Sequence, residues 1–129
     1  MQHSIPTKHI VGIVFIAVAA SVFYFWYNGR EAEPGKYDVF AQCLAEKKVT
    51  MYGTYWCPHC QNQKKGFGSA FQYVPYVECA IRGSSSQTKE CTDVGIKGYP
   101  TWVFADGSRK EGEVSFIALS EKTGCGLPQ

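Results

Sequence analysis

Tyr55-Trp56-Cys57-Pro58-His59-Cys60 is the stretch on which the reading of this chain turns. The segment before it, Val49 to Thr54, is β-branched and aromatic-rich and predicts a strand. The segment after it, from Cys60 to about Phe71, predicts a helix with basic and polar residues on one side. Two thiols three positions apart at a strand-to-helix turn can close a disulfide within one helical turn and reopen it by exchange. They can also supply half of a metal site.

The rest of the cysteines weigh against metal. A structural zinc site takes four ligands, usually from two close pairs, and the chain has one CxxC. Cys79 and Cys91 are too far apart to make a second such pair, although folding could still gather them. Haem attachment would need histidine directly after Cys60, and Gln61 stands there. No metal and no cofactor is expected, and the chemistry points to thiol–disulfide exchange.

Exchange needs a thiolate, and a cysteine at a helix N-terminus faces unpaired amide N–H groups and the positive end of the dipole, which depress its pKa. By position that nucleophile is Cys57. Pro58 suits the first helical position, where its missing donor costs nothing. His59 adds a donor, or a charge when protonated, so Pro58 and His59 are the candidate redox-tuning pair. Cys60, one turn in and more buried, is the candidate resolving thiol. A stabilised thiolate stabilises the reduced form; known dithiols run from about −270 mV for reducing to about −120 mV for oxidising ones, and the Pro-His pair tilts the reading toward an oxidant.

Working outward toward the N-terminus, residues 10–27 carry no charge and read Ile-Val-Gly-Ile-Val-Phe-Ile-Ala-Val-Ala-Ala-Ser-Val-Phe-Tyr-Phe-Trp-Tyr. As a helix this segment reaches roughly 27 Å, close to a hydrocarbon core of about 30 Å, and the aromatic cluster Phe23 to Tyr27 suits the headgroup region. A membrane anchor over 10–27 is expected, after a short tail over 1–9. A cleaved signal peptide competes with it, because Lys8 precedes the run and Ala17-Val18-Ala19 resembles a cleavage site, but the apolar sequence continues well past Ala19. A buried globular helix is the third option. Lys8 on one side and Arg30 and Lys36 on the other leave orientation undecided by charge.

Six cysteines in 129 residues favour an oxidising compartment, which places the C-terminal domain on the extracytoplasmic side of a single-pass membrane protein. From Arg30 onward there are twelve Lys/Arg, all but Lys8 of the thirteen, against eleven Asp/Glu, so no nucleic-acid surface is indicated. Residues 28–36 are polar with glycines and a proline, a short tether. Residues 37–125 form one domain, and 126–129 a tail.

Within that domain an amphipathic helix is expected over Tyr37 to Lys48, with Tyr37, Phe40, Ala41 and Leu44 on one face. A second strand covers Val74 to Cys79, weakened by Pro75. Thr88 caps a short helix over Lys89 to Val94, and Thr101 to Ala105 is a strand. Asp106-Gly107 turns into a partner strand over Ser108 to Glu111, and Ser115 caps a last helix.

This order, together with Trp56 before the first cysteine, Tyr99-Pro100-Thr101 about forty residues on and Gly112 after the hairpin, resembles the thioredoxin superfamily. It implies an α/β thioredoxin-like fold, a central mixed sheet flanked by helices, preceded here by one transmembrane helix. Closer still, Tyr52 to Lys65, Tyr76-Val77-Glu78-Cys79 and Ile96 to Trp102 resemble the thioredoxin-like domains associated with vitamin K epoxide reductase homologues. The resemblance implies that Pro100 is cis and holds Tyr99 beside the pair, with Trp56 flanking the same substrate-binding surface; Trp56 as a merely packed aromatic stays an equal alternative. It also implies cysteine-containing protein substrates and a quinone-linked, vitamin K epoxide reductase-type membrane protein as electron acceptor. Many thioredoxins place a buried carboxylate six positions before the first cysteine, where this chain has Met51.

Joining Cys79 to Cys91 would remove loop entropy worth roughly 3 kcal/mol, and the resemblance supports that structural disulfide. A second exchange pair relaying electrons is the alternative. Cys43 reads as a buried free thiol and Cys125 as free or tail-bound, a bridge between them being uncompelling. Two other functions remain beside the oxidant: an extracytoplasmic reductase or isomerase, and a non-catalytic membrane-tethered binding module.

Overall fold

The computed structural model describes residues 7–28 and 35–129, which belong to two units divided after Glu33. The tail before Thr7 and most of the tether expected over 28–36 lie outside the described residues. The first unit is helix α1, Thr7–Asn28. Its stretch His9–Tyr27 is long and apolar enough to cross a bilayer. None of that stretch is buried among the described residues, and Phe23 and Tyr27 stack at 6.1 Å one turn apart. Ser21 adds no free polar group, since its hydroxyl donates to the Ala17 carbonyl at 2.8 Å.

The second unit has a thioredoxin-like fold. Its elements are α2 (Asp38–Glu46), β1 (Thr50–Gly53), α3 (Pro58–Phe67) with a 3-10 extension (Gly68–Tyr73), β2 (Tyr76–Glu78), α4 (Lys89–Val94), β3 (Thr101–Val103), β4 (Arg109–Glu111) and α5 (Phe116–Thr123). The four strands form one mixed sheet in the order β2-β1-β3-β4. β1 runs parallel to β2 and antiparallel to β3, and β3 pairs antiparallel with β4.

The side-chain alternation of the strands builds a core on each face. Met51 and Trp102, a cross-strand pair, are fully buried in the larger core with Phe40, Leu44, Phe67 and Leu119. Phe67 and the partly buried Phe116 lie 4.4 Å apart against it, and Tyr37 meets Phe116 edge-on at 4.7 Å. Tyr52, Val77 and Val103 point the other way onto Cys79, Cys91 and Ile96.

Two caps stand where the sequence places them. The Thr88 hydroxyl accepts from Cys91 N, and the Ser115 hydroxyl from Ala118 N. The Asp106-Gly107 turn closes β3 on β4, with Gly107 at φ 77° and Asp106 Oδ1 accepting from Ser108 N at 2.9 Å. The strands are shorter than their apolar runs suggest, because pairing stops where the partner ends. The helix expected from Cys60 to about Phe71 begins at Pro58 and changes at Gly68, whose φ of 59° breaks the α-helical ladder and leaves a 3-10 turn.

The clearest correction concerns the remaining cysteines. Cys43, expected as a free thiol, and Cys125, expected as free or tail-bound, are joined by a disulfide with an S–S distance of 2.07 Å. α2 and α5 both pack on the larger core through Phe40 and Phe116, whose rings are 5.7 Å apart, so the start of the domain and its end meet. Cys79 and Cys91 form a second disulfide across a separation of 12 residues.

Candidate functional site

β1 delivers the chain to the two free cysteines, Cys57 and Cys60. Cys57 is the N-cap of α3 with an extended backbone, φ −74° and ψ 120°, and Pro58 occupies the first helical position. The Cys57 sulfur is thus set at the positive end of the helix. A small part of Cys57 stays accessible, 6%, whereas Cys60 is at 0%.

Cys60 lies in the fully buried floor of the site, beside Cys57 and the Thr54 backbone. Burial, the largest cause, pushes the Cys60 thiol up to about 12, with the neighbouring Cys57 adding to the rise and the Thr54 backbone and Lys64 opposing it. The inner sulfur is therefore held as a thiol at neutral pH, and the less buried one sits at the helix terminus.

The Tyr99-Pro100 peptide is cis, and the Tyr99 carbonyl faces the site, accepting from Cys57 Sγ at 3.6 Å. Pro100 itself is fully buried. Tyr99 is pinned from behind by Gln87, whose Oε1 accepts from the Tyr99 hydroxyl at 2.7 Å and whose Nε2 donates to the Ile96 carbonyl. Trp56 is 58% exposed and stands edge-on to Tyr99 at 6.1 Å, so it is a surface group beside the dithiol rather than a packed one. Trp56, Tyr99, Gln87 and the serine loop Ser84 to Ser86 line an open groove of about 400 Å³ next to the pair.

His59 is also exposed, and its Nδ1 lies 2.7 Å from Glu113 Oε1, which accepts from Asn62 as well. These two contacts, His59 first, hold the Glu113 carboxyl below its usual range. The histidine expected to act on Cys57 is therefore bound to a carboxylate from the loop before α5. Gln63, on the inner face of α3, clamps the same loop: its Nε2 donates to the Val114 carbonyl at 3.1 Å and its Oε1 accepts from Val114 N at 2.7 Å.

Under Cys60 the glycine at the end of β1 is required by space. A Cβ on Gly53 would come within 2.8 Å of Cys60 Sγ and 3.1 Å of the Tyr76 ring. The Tyr76 hydroxyl donates to Glu78 Oε2 at 2.9 Å, while Glu78 Oε1 accepts from Tyr55 N and Ala80 N at 3.1 and 3.0 Å. Met51, at the position where thioredoxins often carry a carboxylate, is fully buried and pairs in register with Tyr76. Sequence reasoning missed Gly53, Gln63, Tyr76, Glu78, Gln87 and Glu113. Of these only Tyr76 and Glu78 left a trace, as i and i+2 positions of a predicted strand that share one face.

With this geometry the comparisons can be placed. The chain is similar to a thiol-disulfide oxidoreductase. Over 83 residues it is 42% identical to "Thiol-disulfide oxidoreductase LTO1" of Arabidopsis thaliana, an overlap covering 61% of this chain and 22% of that protein. The chain thus spans about a fifth of the length of this curated relative. No protein-family profile matches the chain.

Proposed function

We propose that this chain is a membrane-anchored thiol–disulfide oxidoreductase that oxidises substrate cysteines outside the cytoplasm. The observation that carries it is the pairing of Cys57 at the head of α3, the less buried of the two thiols and in contact with the carbonyl of a cis Tyr99-Pro100, with a fully buried Cys60. The similarity to a thiol-disulfide oxidoreductase supports the same reading.

In the forward reaction a substrate thiolate attacks Cys57 Sγ of the oxidised pair, the Cys57–Cys60 bond breaks, and Cys60 leaves as a thiolate that takes up a proton. A second substrate thiolate then attacks the substrate sulfur of the mixed disulfide, and Cys57 leaves as a thiolate stabilised by the helix terminus. Two electrons have moved from substrate to the pair. Their onward acceptor is a vitamin K epoxide reductase-type membrane protein that passes them to a quinone, consistent with an apolar helix able to hold the domain at a bilayer. Trp56 and the Tyr99 backbone would receive the substrate as an added extended strand along the groove.

The test is substitution of the outer thiol. Cys57→Ser abolishes dithiol exchange on a reduced model polypeptide in the full chain, while Cys60→Ala accumulates mixed disulfides that name the substrates. Wild-type exchange by Cys57→Ser overturns the proposal in favour of a binding module.

One observation favours the second reading, an extracytoplasmic reductase. The His59–Glu113 pair offsets the positive charge that would make the disulfide strongly oxidising. The reduction potential of Cys57–Cys60 separates the two, since a value near about −270 mV belongs to a reductant and one near about −120 mV to an oxidant.

A further inference from the structure

A buried resolving thiol has to exchange a proton each time the pair opens or closes, and Met51 supplies no group to move it. The space above Gly53 shows what stands there instead. Cys60 Sγ and the Tyr76 hydroxyl approach the same point, the place a Gly53 Cβ would occupy, at 2.8 and 3.4 Å. From that hydroxyl a 2.9 Å hydrogen bond leads to Glu78 Oε2, and Glu78 is only half-buried. Parallel pairing of β1 with β2 makes this arrangement: Met51 lies opposite Tyr76 and Gly53 opposite Glu78.

We propose that Tyr76 and Glu78 form the proton relay of Cys60, taking the part of the missing carboxylate; this rests on the exchange role of the Cys57–Cys60 pair. When Cys60 attacks a mixed disulfide on Cys57, its proton passes across the space that Gly53 leaves open to the Tyr76 oxygen while the Tyr76 hydroxyl proton passes to Glu78 Oε2. The Cys57–Cys60 bond forms, the Cys57–substrate bond breaks, and the substrate leaves as a thiolate with the electron pair. Glu78 then releases the proton to solvent. The reverse sequence protonates Cys60 when it is the leaving group.

The surroundings suit a conduit rather than an anion at Tyr76. Burial, then the hydrogen bond to Glu78, then the charges of Glu78 and the two cysteines hold its hydroxyl protonated well above the ordinary tyrosine range. Lys64 of α3 lies 3.5 Å from the centre of the Tyr76 ring and is the cation facing the relay. Tyr99, before β3, is also held protonated, by burial first and then by Cys60 and Glu78. The Tyr55 and Ala80 N–H groups fix Glu78 Oε1, which leaves Oε2 for the hydroxyl.

The experiment uses the full chain in detergent micelles and Ellman's reagent. Reduced protein releases one thionitrobenzoate when Cys57 is modified and a second when Cys60 resolves the adduct; the second phase is followed by stopped flow between pH 5 and 9. Tyr76→Phe, which keeps the ring beneath Lys64, and Glu78→Gln, which keeps an acceptor for the two N–H groups, should each slow that phase at pH 7 by about 10-fold to 100-fold. The slowed phase should rise with hydroxide concentration and recover with added imidazole, which leaves the wild type unchanged. Wild-type rates and pH profile in both variants overturn the relay, and so does slowing with an unaltered pH profile and no imidazole rescue, which marks Tyr76 as packing alone. If instead the second release persists in Cys60→Ala, the exchange role of Cys60 is what fails.

Discussion

Removing the Cys43–Cys125 disulfide should destabilise the domain more than removing Cys79–Cys91, although the latter is the one that local sequence suggests. The first bond closes a separation of 82 residues and the second a separation of 12. In the chain-entropy treatment these loops correspond to about 4.5 and about 3 kcal/mol of unfolded-state restriction. Packing losses largely cancel in the comparison, because Cys79, Cys91 and Cys125 are all buried and Cys43 is half-buried. Against a total of about 5–15 kcal/mol for an ordinary domain, the longer bond is a large fraction. The comparison is made between Cys43→Ala/Cys125→Ala and Cys79→Ala/Cys91→Ala in the full chain, by urea unfolding in detergent followed through Trp102, the fully buried member of three tryptophans. With an m-value of about 1.5 kcal/mol/M the midpoints should fall by about 3 M and about 2 M respectively. An equal or larger fall for the Cys79–Cys91 variant refutes the reasoning, because chain closure would then not be the governing term.

Gly53→Ala drives a methyl against Cys60 Sγ and the Tyr76 ring and should cost about 1–3 kcal/mol, read as a lower urea midpoint together with slowed resolution at Cys60. Gln63→Leu leaves the Val114 N–H and carbonyl without their partners and should cost about 2–4 kcal/mol by the same unfolding assay. The Cys60 thiol, raised by burial from 9.0 to about 12, binds its proton more tightly folded than unfolded, so its share of stability is complete below pH 9 and is lost as pH rises through 12. Cys60→Ala should flatten that alkaline decline in a titration of the reduced protein. Glu113→Gln, which frees His59 from its carboxylate, should make the Cys57–Cys60 disulfide more oxidising, measured against a glutathione redox buffer; an unchanged or lower potential refutes that coupling.

What was legible in the sequence was whatever depends on neighbours along the chain. Thr88 and Ser115 cap their helices through bonds to residues three positions on, and Asp106-Gly107 carries its own turn chemistry. Cys57, Pro58 and Cys60 lie within a single helical turn, so their chemistry could be read without the fold. Pairings across the fold could not. Glu113 and His59 are 54 residues apart, and Gln63 and Val114 are 51 apart. Nothing in their spacing announces a contact, which exists because α5 and α3 pack on the same aromatic core through Phe116 and Phe67. The Cys43–Cys125 bond was missed for the same reason, since two helices that never pair in sequence are brought together by Phe40 and Phe116.

These distant pairings change how the central motif behaves. Read alone, Cys57-Pro58-His59-Cys60 holds a thiolate between a helix terminus and a histidine, and both favour the reduced form. In the fold the histidine's Nδ1 is bound to Glu113, so a local carboxylate opposes any charge His59 carries. The helix terminus remains, and it acts on Cys57 alone. Cys60 draws little stabilisation as an anion, because burial outweighs what the Thr54 backbone and Lys64 contribute. The two sulfurs are thus separated in role by solvation more than by neighbouring charge. Cys57 keeps the outer position of the pair at the head of the helix, and Cys60 becomes reactive only when a proton acceptor takes its hydrogen. Control of the exchange rate then lies at the floor of the site, where Gly53 leaves room for Tyr76 to approach, as much as in the two residues between the cysteines.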